Sequence, residues 1–226
     1  MKKILTAALL AACGSTAFAD TCTVPQAVEA AYTVTEYDSR NQPKSYPLKV
    51  IRSGDIVAYQ YPASQLIDIW TRGQGGQLSL TRYFDAHKRG IEYYAGDLRS
   101  LQEHKGNHWP KLAHVVDVSA LTPKSRSGSG CKQIERYQSS GYRVDYLSAY
   151  QLPENMTFYL NGKRSVSYRL EKIGARNDFD GLIAGYRNYP ALDFADIGDS
   201  EADPFVRQMI KMGFIEHHHE NDGHQH

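Results

Sequence analysis

The sequence predicts a mainly β (α+β) protein, in which an antiparallel sheet carries a small helical layer and a C-terminal helix. Three observations lead there. Short runs with apolar residues at alternate positions recur along the chain, which is the period of a strand with one buried face. Turn chemistry separates them at close intervals. Tyrosine is abundant, with 16 in 226 residues, and it suits a half-buried pleated surface because its ring packs while its hydroxyl stays wet.

Taken in order, residues 31–38 and 46–51 read as strands flanking the turn Ser-Arg-Asn-Gln-Pro. Ser53-Gly54-Asp55 leads into Ile-Val-Ala-Tyr-Gln-Tyr, where Val57, Tyr59 and Tyr61 share a face. Residues 66–71 follow, and the cluster Gly73-Gln74-Gly75-Gly76 turns the chain into a strand with Leu78, Leu80 and Phe84 on one side. A charged turn at 85–90 precedes a strand at 91–94. Residues 98–117 break the period and read as two short helical pieces, parted near Gly106-Asn107 and restarted at Pro110, which a first helical turn tolerates. Residues 122–130 read as a polar loop. Strands resume at 131–138 and at 142–150, with Tyr142, Val144 and Tyr146 in phase. Two more strands surround Asn161-Gly162, the strongest hairpin signal in the chain. After Ile173 the pattern reads as irregular until a last helix over 204–212, with Asp203 as cap, Pro204 in the first turn and Gly213 as stop.

The N-terminus has a basic start at Lys2-Lys3, an apolar run, and Ala17-Phe18-Ala19 before Asp20. That layout predicts a signal peptide over 1–19, with a small-x-small cleavage site. The rival reading takes Leu10-Ala11-Ala12-Cys13 as a lipobox that anchors the protein in the outer membrane through a lipid on Cys13. Under either reading Cys22 and Cys131 are left, and in the oxidising periplasm the two predict a disulfide, with a Cys-pair metal site or a free thiol as the rival reading. Loss of Lys2 and Lys3 takes the formal charge from +1 to −1. Balanced charge supplies no electrostatic footprint for nucleic acid or an anionic membrane. About 207 mature residues can bury one sizeable core. The expected division is therefore a single β-rich domain over 20–215 and a tail over 216–226.

The order of export signal, β-meander, helical insertion and further meander resembles the LolA/LolB periplasmic lipoprotein carriers. The resemblance runs over roughly 31–173 and rests on the Tyr46–Tyr94 meander, the insertion around Trp109 and the return through Leu-Pro-Glu-Asn-Met-Thr-Phe-Tyr-Leu-Asn-Gly. It implies a curved half-barrel whose concave face shelters acyl chains without doing chemistry, and it transfers no cargo-binding residue. The residues expected to line such a ligand cavity are Val57, Tyr59, Leu78, Leu80, Phe84, Val144, Phe158 and Tyr168.

The tail carries His217, His218, His219, His224 and His226, with Glu216, Glu220 and Asp222 as auxiliary oxygen donors. Imidazole suits zinc, copper and nickel, and affinity that needs neutral His should fall steeply below about pH 6. The plainer reading is a solvated tail that takes up metal opportunistically. A second group, His104, His108 and His114, sits in a stretch poor for a regular helix and reads better as structural. The acidic run Asp193, Asp196, Asp199, Glu201 and Asp203 lacks the calcium-loop spacing and reads as charge before a helix N-terminus. No G-x-S-x-G elbow, phosphate-cradling glycine loop, H-E-x-x-H or dinucleotide glycine pattern occurs. The expectation is an exported, non-enzymatic binding protein that requires no cofactor. It would be a periplasmic carrier of a lipid or other amphiphile, or alternatively a protein that handles zinc, copper or nickel through its tail. An assembly protein presenting a sheet edge is a third reading.

Overall fold

The computed structural model describes residues 22–213 apart from 102, 103, 105 and 201. Twelve strands form one curved, open sheet. β1 (Val28–Tyr37) lies near its middle. On one side of it follow β2 (Pro43–Ser53), β3 (Ile56–Tyr61), β4 (Leu66–Arg72), β5 (Leu78–Phe84) and β6 (Arg89–Tyr93). On the other side come β11 (Lys163–Ala175), β10 (Leu152–Leu160), β9 (Tyr142–Leu147), β8 (Ile134–Gln138) and β7 (Ser125–Ser127). These strands pair antiparallel, and β12 (Ala191–Asp193) joins β6 in parallel at the far edge. Among the described residues four α-helices accompany the sheet: α1 (Ala95–Ser100), α2 (Trp109–His114), α3 (Phe179–Arg187) and α4 (Pro204–Lys211).

The predicted mainly β class and the curved antiparallel sheet with its small helical layer and C-terminal helix are what the molecule has. Alternation explains the register. Ala30, Tyr32 and Val34 of β1 point to one face, where Tyr32 faces Leu48 and Ala30 faces Val50. The same face runs on through Val57 opposite Trp70, Trp70 opposite Leu80, and Leu80 opposite Tyr93. This inner face forms the main core with Leu98, Leu112, Ile197, Phe205, Val206 and Met209 from the covering segments. A slip of one residue in any of these strands would turn its apolar set to the other side. The hairpin at Asn161-Gly162 has φ of 51° and 75°, the two positive values a two-residue type I′ loop demands. α4 begins where expected, with the Asp203 side chain accepting a hydrogen bond from Phe205 N at 2.8 Å.

Two expectations are corrected. The stretch after Ile173 is not irregular: it contains α3 and the short β12. Phe179, Ile183 and Tyr186 fall at i, i+4 and i+7 and bury against Ile51, Ala58, Ile67, Ile69 and Tyr83 on the outer face. That burial offsets the low helix propensity of Gly181 and Gly185. The loop expected over 122–130 also holds a three-residue edge strand, β7, paired to β8.

The disulfide joins Cys22 to Cys131 with Cα atoms 4.9 Å apart across 109 positions of sequence. It pins the chain entering β1 to the turn entering β8. On the chain-entropy model, closing a loop of this size stabilises the fold by up to about 4.7 kcal/mol.

Candidate functional site

The inner face of the sheet is covered unevenly. α1 packs on β5 and β6, and α2 packs on β3. Phe205 of α4 meets Phe84 edge-on, with centroids 5.6 Å apart, and Phe194 stacks on Tyr93 at 4.9 Å. Between α1 and the sheet lies a cavity of about 380 Å3. Trp70, Leu78 and Leu98 form its apolar wall, and Arg99, His104 and Asn107 bring polar groups to it. The His104 ring stands edge-on to Trp70 at 5.4 Å and to Tyr93 at 5.8 Å.

Towards the other end of the inner face the rings are half-buried. Tyr46, Tyr61, Phe158, Val166 and Tyr168 lie there, each in the inward phase of its strand. Burial pushes the Tyr61 phenol well above its ordinary range and raises that of Tyr168, so both are neutral O–H groups at any physiological pH. Neither hydroxyl has a hydrogen-bond partner among the described residues. Tyr46 donates to Glu36 at 2.8 Å, Tyr32 to the Pro153 carbonyl at 2.9 Å and Tyr59 to the Leu112 carbonyl at 2.6 Å.

Charged groups also sit on this face. Arg82 holds Asp68 bidentately, Nε to Oδ1 at 2.8 Å and Nη2 to Oδ2 at 3.0 Å, with side-chain exposures of only 12% and 9%. Arg52 donates to the Ala113 carbonyl at 2.8 Å and to the Tyr150 carbonyl, tying β2 to the end of α2 and to the β9–β10 turn. Its burial lowers its pKa from the usual guanidinium value. These residues were not anticipated from the sequence. The available signal was phase: Asp68 alternates with Leu66 and Trp70, and Arg82 with Leu80 and Phe84. Opposite charges at core-facing positions of adjacent strands announce a buried pair.

Of the expected cavity residues, Val57, Tyr59, Leu78, Leu80, Phe84 and Tyr168 belong to or pack against the main inner cluster. Val144 belongs to a second cluster, against which Phe158 and Tyr168 pack, so Tyr168 touches both. Leu78 lines the cavity under α1, whereas Val57, Leu80, Phe84 and Val144 are buried in packed core. The second histidine group is dispersed: His104 is buried, His108 bonds Asp117 at 2.8 Å, and His114 stands 3.4 Å from the Tyr146 hydroxyl. Asp193 accepts from Ala195 N, and Asp203 caps α4 while pairing with Arg89 at 2.7 Å. Among the described residues no group of three or more metal-ligating side chains converges. The segment 1–19 expected as a signal peptide, Glu103, Glu201 and all five tail histidines lie outside the described residues.

No family model matches the sequence, and no curated protein matches it either. Among solved structures, the chain is similar to one described as PNGF-II, with 10% identity and a TM-score of 0.40. The match covers 74% of this chain and 31% of that one. A likeness at that level carries no argument about activity.

Proposed function

We propose that this is an exported, non-enzymatic binding protein of the periplasm that carries a lipid or another amphiphile on the inner face of its sheet. The observation that carries the reading is the cavity of about 380 Å3 between α1 and the sheet, with Trp70, Leu78 and Leu98 as its apolar wall. Its size falls within the range of about 300–1,000 Å3 usual for ligand pockets, and its few polar groups stand where they could orient a head group. The half-buried tyrosine rings further along the same face offer a surface that suits an amphiphile in the same way: apolar bodies with polar tips.

Native mass spectrometry on untagged protein exported to a bacterial periplasm tests this. A retained lipid-sized adduct is expected, and Leu78→Trp, which fills the cavity, should remove it without lowering the unfolding midpoint. Absence of any organic adduct overturns the reading. So does stoichiometric zinc, copper or nickel that disappears when the chain is cut after Glu216, with no organic molecule bound.

A further inference from the structure

A second cavity, of about 480 Å3, lies away from the one under α1, between the end of α2, the segment 115–121 and strands β7–β9. Its polar wall comprises His114, Asp117, Arg126, Glu135 and the two tyrosines Tyr137 and Tyr146. The chain reaches it through an unusual bend. Val115 has φ 67° and ψ −34°, a positive φ that β-branched residues rarely adopt, and this turn lets His114 and Asp117 face the same space.

Each carboxylate of that wall is hydrogen-bonded within the protein, Glu135 to a guanidinium and Asp117 to an imidazole whose pKa that bond raises. Asp117 Oδ2 is 2.8 Å from His108 Nε2, and Oδ1 accepts from Ser119 N at 2.9 Å. Glu135 Oε1 accepts from Arg126 Nε at 2.8 Å, and Oε2 from the Tyr137 hydroxyl at 2.7 Å. Burial, reinforced by the Arg52 charge, keeps His114 below its ordinary value and therefore neutral at pH 7. An ammonium ligand would need an uncompensated carboxylate here, and an anion would need an unpaired guanidinium. Neither is present.

The wall nevertheless retains hydrogen-bonding capacity. Each oxygen of Glu135 uses one of its two lone-pair sites in the bonds above. The terminal nitrogens of Arg126 make no hydrogen bond among the described residues. The wall therefore keeps both acceptors and donors, as vicinal hydroxyls require, since each hydroxyl both donates and accepts. Tyr137 and Tyr146 meet edge-to-face at 6.2 Å, and Pro110, Leu121 and Pro123 add apolar surface for the C–H face of a sugar ring. We infer that this cavity binds a neutral saccharide, presented free or as the head group of an amphiphile. The inference is independent of the carrier reading, because it uses a different cavity and different residues.

Amide chemical shifts of the full mature, oxidised protein provide the test. Glucose, galactose, mannose, N-acetylglucosamine and maltose are titrated to about 10 mM, enough to register a Kd near 1 mM. Glucosamine and glucuronate are titrated beside them as charged forms of the same ring. At least one neutral sugar should give saturable shifts at residues 114–121, 135–137 and 146–151. Glu135→Gln should weaken it about tenfold, because a charge-assisted acceptor is lost. Ser119→Trp, at an exposed rim position, should abolish it and keeps the test decisive if the first variant does not fold. Monomeric dodecyl maltoside distinguishes the source. If it shifts these amides where maltose does not, and Ser119→Trp abolishes the response, the sugar is recognised as a head group. No shift from any of these probes, a stronger response to glucosamine or glucuronate than to glucose, or shifts that persist in Ser119→Trp would each overturn the inference.

Discussion

The two halves of the sheet are built differently. From β1 to β6 the pairings run without a register shift. There α1, α2 and α4 cover the inner face, and α3 covers the outer face of β2 to β5. From β1 across β11 and β10 to β9 the ladder slips three times, at Ala31/Tyr32, Phe158/Tyr159 and Pro153/Asn155. Bulges bend and twist the strands that carry them. The regular half is thus mostly a packed platform, though Tyr46 and Tyr61 in it are half-buried, and the bulged half is a curved wall with the half-buried Phe158 and Tyr168, adjoined by the polar cavity. The second cluster has a small core, Tyr137, Val144, Tyr146 and Met156, against which Val116, Val118 and Leu121 pack from the crossing segment. Stability should concentrate in the first half and tolerance in the second.

The largest expected effect tests the buried charge in the platform. Asp68→Leu removes the buried carboxylate that Arg82 holds bidentately and should cost about 3–5 kcal/mol in urea unfolding. The double variant Asp68→Leu with Arg82→Met should recover most of that loss, since a well-packed apolar pair often equals a buried ion pair. If the single variant is as stable as the parent, the pair is more solvated than its 12% and 9% exposures indicate.

Next comes truncation of equivalent inward-facing side chains in each half. Leu80 is 1% exposed, and Leu80→Ala should cost about 2–5 kcal/mol through lost burial and the cavity left behind. Val166 faces inward but is only half-buried, so Val166→Ala should cost less than about 1 kcal/mol, some 25 cal/mol for each Å2 of apolar surface lost. Equal losses would mean that the two halves unfold with one shared core and would remove the contrast.

Two glycines sharpen it further. A Cβ on Gly90 in β6 would lie 2.7 Å from the Tyr83 ring, so Gly90→Ala must displace a ring packed under α3. Overpacking of that kind costs about 1–3 kcal/mol. At Gly162 a Cβ meets nothing within 4 Å, but φ is 75°. Gly162→Ala should therefore cost only the left-handed penalty, about 1 kcal/mol. Both are read from the shift in the urea midpoint at constant slope.

The same contrast governs what could be read from the sequence. In β1–β6, alternation and the turn residues between runs marked most strands, whereas β4, buried on both faces, shows no alternation. Asn161-Gly162 was legible because a two-residue loop with both φ positive leaves few other choices. α3 was missed because Gly181 and Gly185 argue against a helix, and its stability comes from Phe179, Ile183 and Tyr186 docking on an outer face that local sequence does not reveal. The polar cavity was missed for a related reason. His114, Asp117, Arg126, Glu135 and Tyr146 come from separate segments, and no spacing rule connects them before the sheet brings them together.

The smallest effect concerns the histidines beside that cavity, whose protonation should pull stability in opposite directions. The hydrogen bond to Asp117 raises His108 above its ordinary 6.5, aided by the Gly106 carbonyl. Its contribution is complete below pH 6.5 and is lost as pH rises through the raised folded value. Burial lowers His114 below 6.5, so the folded protein resists a proton that the unfolded chain accepts. Its effect is absent well above 6.5 and destabilises progressively as pH falls towards the lowered value. Asp117, held near 2 chiefly by its hydrogen bonds to Ser119, keeps its own contribution until the pH falls below about 4. The two histidines therefore partly cancel between roughly pH 5 and 8, and unfolding midpoints across that range should be nearly flat. His108→Gln exposes the His114 effect, giving stability that falls more steeply on the acid side. His114→Gln exposes the other, giving stability that declines on the alkaline side. The His108 imidazole is half exposed, so solvent screening keeps the pair's contribution below about 1 kcal/mol. Slopes that do not separate in opposite directions would show that the bend at Val115 does not hold the two rings in environments of opposite sign.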